Sequence, residues 1–197
     1  MKKDLVLAGL MHDLNNVLHA IGQAADILST DPEWSVLAES IIANVERGKA
    51  IVLSASEVPS YVELGPVAKR ALSARTLDCA LEIPDGLGFP GKPHAIERVF
   101  ANLAVNSEQA GATRLQVSAR ADGMDVHIEI VDNGPGIPAG ILPTIFRAGV
   151  SGSRSTGLGL HIVETIVREH GGAIQAENRN VEDGGGARFL VRIPAGD

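Results

Sequence analysis

Val131-Asp132-Asn133-Gly134-Pro135-Gly136-Ile137 follows directly on an alternating run, Met124 to Val131. The alternation predicts a β-strand, which places Asp132 at the strand's end. A carboxylate there can accept hydrogen bonds from an exocyclic amine such as that of adenine. Gly134 and Gly136 would let the backbone approach a flat base without interference from a Cβ. Taken alone, the stretch is also a plain tight turn, because Asp, Asn, Gly and Pro are the residues turns favour.

Working outward, His94 to Ala110 has helical periodicity and carries Asn102-Leu103-Ala104-Val105-Asn106. Two asparagines four apart share one face of a helix. Asparagine is a mediocre helix former, so the pair asks for a reason other than propensity. Amide oxygens suit a hard cation such as Mg²⁺, which often shares its ligands with nucleotide phosphates. On the other side, Gly157-Leu158-Gly159-Leu160 opens a predicted helix, Leu160 to His170, closed by Gly171-Gly172. Free amides at a helix N-terminus attract anions. The preceding Val150-Ser151-Gly152-Ser153-Arg154-Ser155-Thr156 has the composition of a lid, with Arg154 placed to reach a phosphate oxygen.

Each of these three features is weak singly, but here they occur in one order, at spacings one domain can accommodate. Residues 61–197 resemble the Bergerat-fold (GHKL) ATP-binding domain of sensor histidine kinases. Asn102 to Asn106 resembles its N box, Asp132 to Gly136 its G1 box and Gly157 to Gly159 its G2 box, with Phe146 at the F-box position. Ile166-Val167-Arg168-Glu169-His170-Gly171-Gly172 is similar to the family's usual helix ending. The resemblance implies that ATP and Mg²⁺ are the cofactors, that Asn106 binds the metal and that Asp132 reads the adenine amine. It implies an ATP site made of Asn102, Asn106, Asp132, Gly134, Gly136, Arg154, Gly157, Leu158 and Gly159. The chain departs from the pattern at Ser155, where a glycine is usual, and at Ser153-Arg154, where the lid often carries a lysine. It departs again at Ser107-Glu108, where alanine is common at the first place.

The N-terminal quarter has a different pattern. Leu7, Leu10, Met11, Leu14, Val17, Leu18, Ile21, Ala25 and Leu28 recur at three- and four-residue steps, predicting an amphipathic helix over 4–28. His12, Asn16, His19 and Gln23 line another face. Ser29-Thr30-Asp31-Pro32 breaks the helix, and Thr30 or Asp31 is expected to cap a second one running to about Glu57, with Pro32 in its first turn. Trp34, Leu37, Ile41, Val45, Val52 and Ala55 would form its apolar side. Such a hairpin has too little interior to bury both stripes, so residues 1–58 are expected to pair with a second copy as a four-helix bundle.

Met11-His12-Asp13-Leu14-Asn15-Asn16 resembles the H box of kinases with a His-Asp-x-Asn-Asn signature. Carried over, His12 is the phosphoacceptor, Asp13 holds the proton of its other ring nitrogen, and Asn16 orients a water that dephosphorylates a partner. The expected partners are a second copy of the chain, the receiver domain of a response regulator, and a separate sensor protein. His19, seven residues beyond His12, reads as a bystander.

The composition is that of an ordinary soluble globular protein, and the charge argues against a nucleic-acid partner. Hydrophobic residues make up 45% and charged residues 21% of the 197, and the net charge is -7 without a Lys/Arg run. The single Cys79 forms no internal disulfide and suits a reducing compartment. Asp4, His12 and Asp13 interrupt any signal-peptide core, and no apolar run approaches the ~20 residues that span a bilayer. A cytoplasmic location is expected.

The expected fold is α+β: a helical hairpin over 1–58, then a two-layer sandwich over 61–197 with a mostly antiparallel sheet. Two other functions fit parts of the pattern. A histidine phosphotransfer relay with a decayed ATP domain would have eroded glycine boxes, and here they remain. A hydrolase of the same fold would carry a carboxylate where this chain has Asn102.

Overall fold

The computed structural model describes residues 2–31, 33–150, 158–180 and 184–196. The chain divides into two compact units, Met1–Val58 and Pro59–Asp197.

The first unit is a pair of helices, α1 (Lys2–Leu28) and α2 (Ser35–Ser56). Leu18 packs on Gly48 and Val45 on Gly22, so the helices run antiparallel. Ala25, Ala38, Val45 and Val52 are buried, the last three in seven-residue steps. The expected stripe on α1 is split in two. Leu18 and Ala25 turn inward, whereas Leu10, Leu14, Val17 and Ile21 remain exposed. α2 begins later than its sequence suggests. Ser29 and Thr30 hydroxyls donate back to the carbonyls of Asp26 and Ile27, ending α1. Asp31 accepts from the Glu33 amide in a local turn, and Trp34 takes the N-cap without a side-chain bond. Trp34 and Leu37, expected on the apolar side, are exposed. Pro32 lies outside the described residues.

The second unit is a layered α+β domain. β1 (Ser60–Glu63) and β3 (Gly88–Gly91) form a small antiparallel ribbon. The main sheet has the order β2-β4-β5-β7-β6, from β2 (Asp78–Glu82), β4 (Arg114–Asp122), β5 (Asp125–Asp132), β7 (Ala187–Pro194) and β6 (Ala173–Asn178). Every pairing is antiparallel except β2 with β4. α3 (Leu64–Leu72), α4 (Pro93–Gln109) and α5 (Gly159–Glu169) supply the second layer.

The sheet's period of two sorts its residues by face. Leu115, Val117, Val126, Ile128, Ile130, Phe189, Val191 and Ile193 point inward, against Ile96, Val99, Phe100 and Leu103 of α4 and Val163, Ile166 and Val167 of α5. The other face is polar, with Arg188 bridging Glu129 (2.6 Å) and Glu177 (2.9 Å), and Gln116 donating to Glu82 (3.0 Å). At the end of α5 the Gly172 amide donates to Val167 O (2.9 Å), while Gly171 takes φ +72°. His170 ties that end to the start of α4: its Nδ1 meets Ile166 O at 2.7 Å, and its Nε2 accepts from the Lys92 amide at 3.0 Å.

Burying a leucine of Leu103's kind contributes about 1.5–3 kcal/mol, and truncation leaves a cavity besides. Leu103→Ala is expected to destabilise this unit by about 2–5 kcal/mol. Faster hydrogen exchange across β4 and β5 is the measurement that checks it.

Candidate functional site

β5 delivers Asp132 at its last residue, where the carboxylate is 6% exposed. A buried carboxylate is costly unless its oxygens are occupied. Oδ1 accepts the Gly134 amide at 2.9 Å and the Ala187 amide at 3.0 Å, and Oδ2 accepts the Ser107 hydroxyl at 2.9 Å. Three elements therefore meet on one side chain: the loop after β5, the start of β7 and helix α4.

The loop after Asp132 is pinned at two further points. Asn133 Oδ1 accepts the amides of Thr113 (2.9 Å) and Arg114 (2.8 Å), while its Nδ2 donates to Thr113 Oγ1 (3.0 Å). Asn178, at the end of β6, donates to Ile137 O and accepts from Ile137 N, both at 2.7 Å, as a neighbouring strand would. Between these anchors Gly136 has φ +80°, and a Cβ there would lie 2.8 Å from Asn178 Oδ1. Gly136 is thus required twice, by conformation and by space. Gly186 is a second such place: φ is +92°, and a Cβ would overlap the Asp132 carbonyl.

A pocket of about 350 Å³ opens beside Asp132. Its polar end is Asp132 with Ser107, and its walls are apolar, from Ile137, Ile141, Ile145, Val150, Leu160 and Phe189. Asn106 and Gly159 line it as well. Asn102 and Asn106 both face Gly159: a Cβ on that glycine would lie 3.6 Å from Asn106 Oδ1 and 3.8 Å from Asn102 Oδ1. The Nδ2 atoms of both asparagines are buried and have no hydrogen-bond partner. Orphaned buried donors cost about 1–3 kcal/mol each, so the pair suits a ligand rich in acceptor oxygens. Gly159 opens α5, whose N-cap Leu158 makes no side-chain cap, leaving first-turn amides for the same anion.

The donor set fits phosphates carrying a divalent ion. Among the described residues no group of three His, Cys, Asp or Glu side chains could hold a metal alone. Magnesium takes oxygen ligands and shares them with substrate phosphates, and the amide oxygen of Asn106 is the protein ligand that would hold it here.

The structure thus brings together Asn102, Asn106, Asp132, Gly134, Gly136 and Gly159. Leu158 is 40% exposed at the head of α5. Arg154 and Gly157 lie outside the described residues. Asp13 and Asn16 are exposed on α1, and the side chain of His12 lies outside the described residues. Phe146 is partly buried against the core, its carbonyl 3.1 Å from His161 Nδ1.

Sequence reasoning missed the parts of Asn178 and Gly186 and the partner of Ser107. Asn178 and Gly186 carry no local signal, since their partners are distant in the chain. Ser107 did carry one: it continues the buried α4 stripe Ile96, Phe100, Leu103, where a hydroxyl needs a partner. Asn178→Ala is expected to free the Ile137 amide. Its hydrogen exchange should quicken roughly ten- to a hundredfold, the equivalent of ~1–3 kcal/mol, with the β4–β5 core unchanged.

Residues 91–197 match the family described as histidine kinase-, DNA gyrase B-, and HSP90-like ATPase. The sensor protein KdpD of Escherichia coli is 32% identical over 98% of this chain, which covers 24% of KdpD. The sensory histidine kinase/phosphatase NtrB of Rhodobacter capsulatus is 28% identical over 94% of this chain, which covers 60% of NtrB. Among solved structures, the ATP-binding domain of PrrB from Mycobacterium tuberculosis is similar with a TM-score of 0.57 and 29% identity, covering 70% of this chain and 97% of that domain. The chain thus spans less than two thirds of the length of these curated relatives. With the family model covering more than half of the chain, and the buried aspartate, glycine loop and paired asparagines in place, the protein belongs to the histidine kinase-, DNA gyrase B- and HSP90-like ATPase family.

Proposed function

We propose that the chain is the core of a two-component sensor histidine kinase, which phosphorylates His12 from ATP and passes the phosphoryl group to an aspartate of a response regulator. The observation that carries this reading is one pocket with two unlike ends. At one end an aspartate held by three hydrogen bonds, with one acceptor position still free, faces a slot of apolar side chains, fit for a base. At the other, two orphaned amides and a helix start face one another, fit for phosphates. Sensor kinases among the relatives align over nearly the whole chain, hairpin included.

In the reaction, a neutral ring nitrogen of His12 attacks the γ-phosphorus; the new N–P bond forms as the bond to the bridging oxygen breaks and ADP leaves with the electron pair. An ordinary histidine is largely unprotonated near neutral pH. Asp13 accepts a hydrogen bond from the other ring nitrogen and holds its proton. Asn102 and Asn106 would orient the phosphates, Asn106 would hold Mg²⁺ through its amide oxygen, and Arg154 with Gly157 and Gly159 would supply further contacts to the phosphates. Mg²⁺, when bound, neutralises charge on the phosphates. Both carboxylates of α4 beyond the pocket are engaged elsewhere, Glu97 with Arg70 and Glu108 with Thr76 and Arg75. No α4 carboxylate is thus set to activate water, which favours transfer over hydrolysis. An intact base pocket likewise favours the kinase over a phosphotransfer relay.

Asn16, one turn beyond His12, suits a second activity, removal of phosphate from the regulator through an oriented water. The relative NtrB carries both activities in its name. Among the described residues no helix is long and apolar enough to cross a membrane.

The test is incubation with γ-labelled ATP and Mg²⁺. The wild type should acquire acid-labile, base-stable label, and His12→Gln and Asp132→Asn should each lose it. Label retained in His12→Gln would sink the assignment of the acceptor.

The exposed line Leu10, Leu14, Val17, Ile21 on α1 supports a homodimer through residues 1–58, since monomers would leave it in water. Leu14→Glu combined with Ile21→Glu is expected to yield monomers by light scattering, with nucleotide binding in the 59–197 unit preserved.

A further inference from the structure

Asp132 has a buried neighbour in the pocket, Ser107, whose side chain has a single proton and two acceptors within reach. Its Oγ lies 2.9 Å from Asp132 Oδ2 and 3.2 Å from Leu103 O. A hydroxyl donates more strongly to an ionised carboxylate than to a neutral carbonyl, so the proton belongs to Asp132. The Ser107 oxygen is left with lone pairs and no proton to offer. Accounting for the carboxylate gives the same sign. Oδ1 has spent both acceptor positions on the Gly134 and Ala187 amides, and Oδ2 has spent one on Ser107, leaving one free.

We infer that Ser107 and Asp132 together form a two-acceptor reader for an exocyclic amino group, and that Ser107 is a specificity-determining residue of the base pocket. The inference rests on the nucleotide reading above. An amino group has two N–H donors, and the pair offers two acceptors: the free position on Oδ2 and the oxygen of Ser107. A base with a carbonyl at the same place, such as hypoxanthine, would set an acceptor against both. A site built to receive a donor rejects an analogue that lacks it much more strongly than it rejects a change of size. The Ser107 proton also holds the Oδ2 edge in place, so that removing the hydroxyl removes one acceptor and loosens the other.

Binding of ADP and of inosine 5′-diphosphate to the full chain, by calorimetry in Mg²⁺ buffer, tests this in the wild type and in Ser107→Ala. The wild type should prefer ADP strongly. Ser107→Ala should weaken ADP about five- to tenfold, the scale of one hydrogen bond, and leave the inosine nucleotide unchanged or tighter. The selectivity ratio then falls at least about fivefold. Thermal unfolding without nucleotide shows that the variant is folded. An equal loss for both nucleotides would mean that Ser107 only supports the pocket, and an unchanged ADP affinity would mean that it takes no part; either overturns the inference while the nucleotide reading stands. A wild type that binds neither nucleotide overturns both.

Discussion

Asp132 is a negative charge that the fold has taken out of water, and most of the catalytic unit is arranged to make that tolerable. Burial of a lone carboxylate is prohibitive. Here two backbone amides and a hydroxyl occupy three of its acceptor positions. Each donor comes from a different part of the chain: the loop after β5, the entry to β7 and the middle of α4. Fixing the charge therefore fixes the sheet's strand ends against the helix layer. The remaining acceptor position is what the pocket has to offer a ligand. In the proposed function, structure and recognition are the same set of bonds, because satisfying the aspartate incompletely is what would leave it able to read a base.

The elements with strong periodicity were legible in the sequence. α1, α4, α5 and strand β5 fall within a few residues of their expected places, since long buried stripes and clean alternation leave little choice of period. The β1–β3 ribbon was not legible. Its strands have four residues each, and β3 is Gly88-Phe89-Pro90-Gly91, a composition that reads as loop. The start of α2 was misplaced because Thr30 and Asp31 have the chemistry of N-caps, yet their side chains serve the turn that ends α1. Within the site the motif residues were legible and their supports were not. Asp132, Asn102 and Asn106 belong to patterns a few residues long. Asn178 meets Ile137 across 41 positions and Gly186 meets Asp132 across the sheet, and no local pattern encodes either meeting.

The hairpin shows the complementary case, where the sequence encodes more than one chain can satisfy. Its apolar residues on α1 cover too wide an arc for a single partner helix. Leu18 and Ala25 take the seam with α2, and the line from Leu10 to Ile21 is left over. A stripe of this width is the pattern of a helix with two neighbours. The excess is information about assembly, and it was readable because helical periodicity reports the width of a buried face as well as its existence.

α4 serves the core and the pocket at once. Its core-facing stripe, Ile96, Val99, Phe100 and Leu103, holds it to the sheet, and the stripe ends in Ser107, which exchanges packing for a bond to Asp132. One residue earlier, about 100° round the helix, Asn106 faces Gly159 together with Asn102. One residue later, Glu108 turns away to hold Thr76 and Arg75. Three consecutive side chains thus face Gly159, Asp132 and Thr76 in turn. Because a helix is rigid at this length, the base and phosphate contacts of the proposed function would be set at a fixed separation by the backbone itself, with no loop required to measure it. The same rigidity excludes the helix's carboxylates from the pocket, since Glu97 and Glu108 sit at positions whose faces point elsewhere. A helix that presents only amides and a hydroxyl to the pocket could hold and orient a nucleotide but has no base with which to activate water, and in the proposed function that restraint leaves the phosphoryl group for a nucleophile on another element.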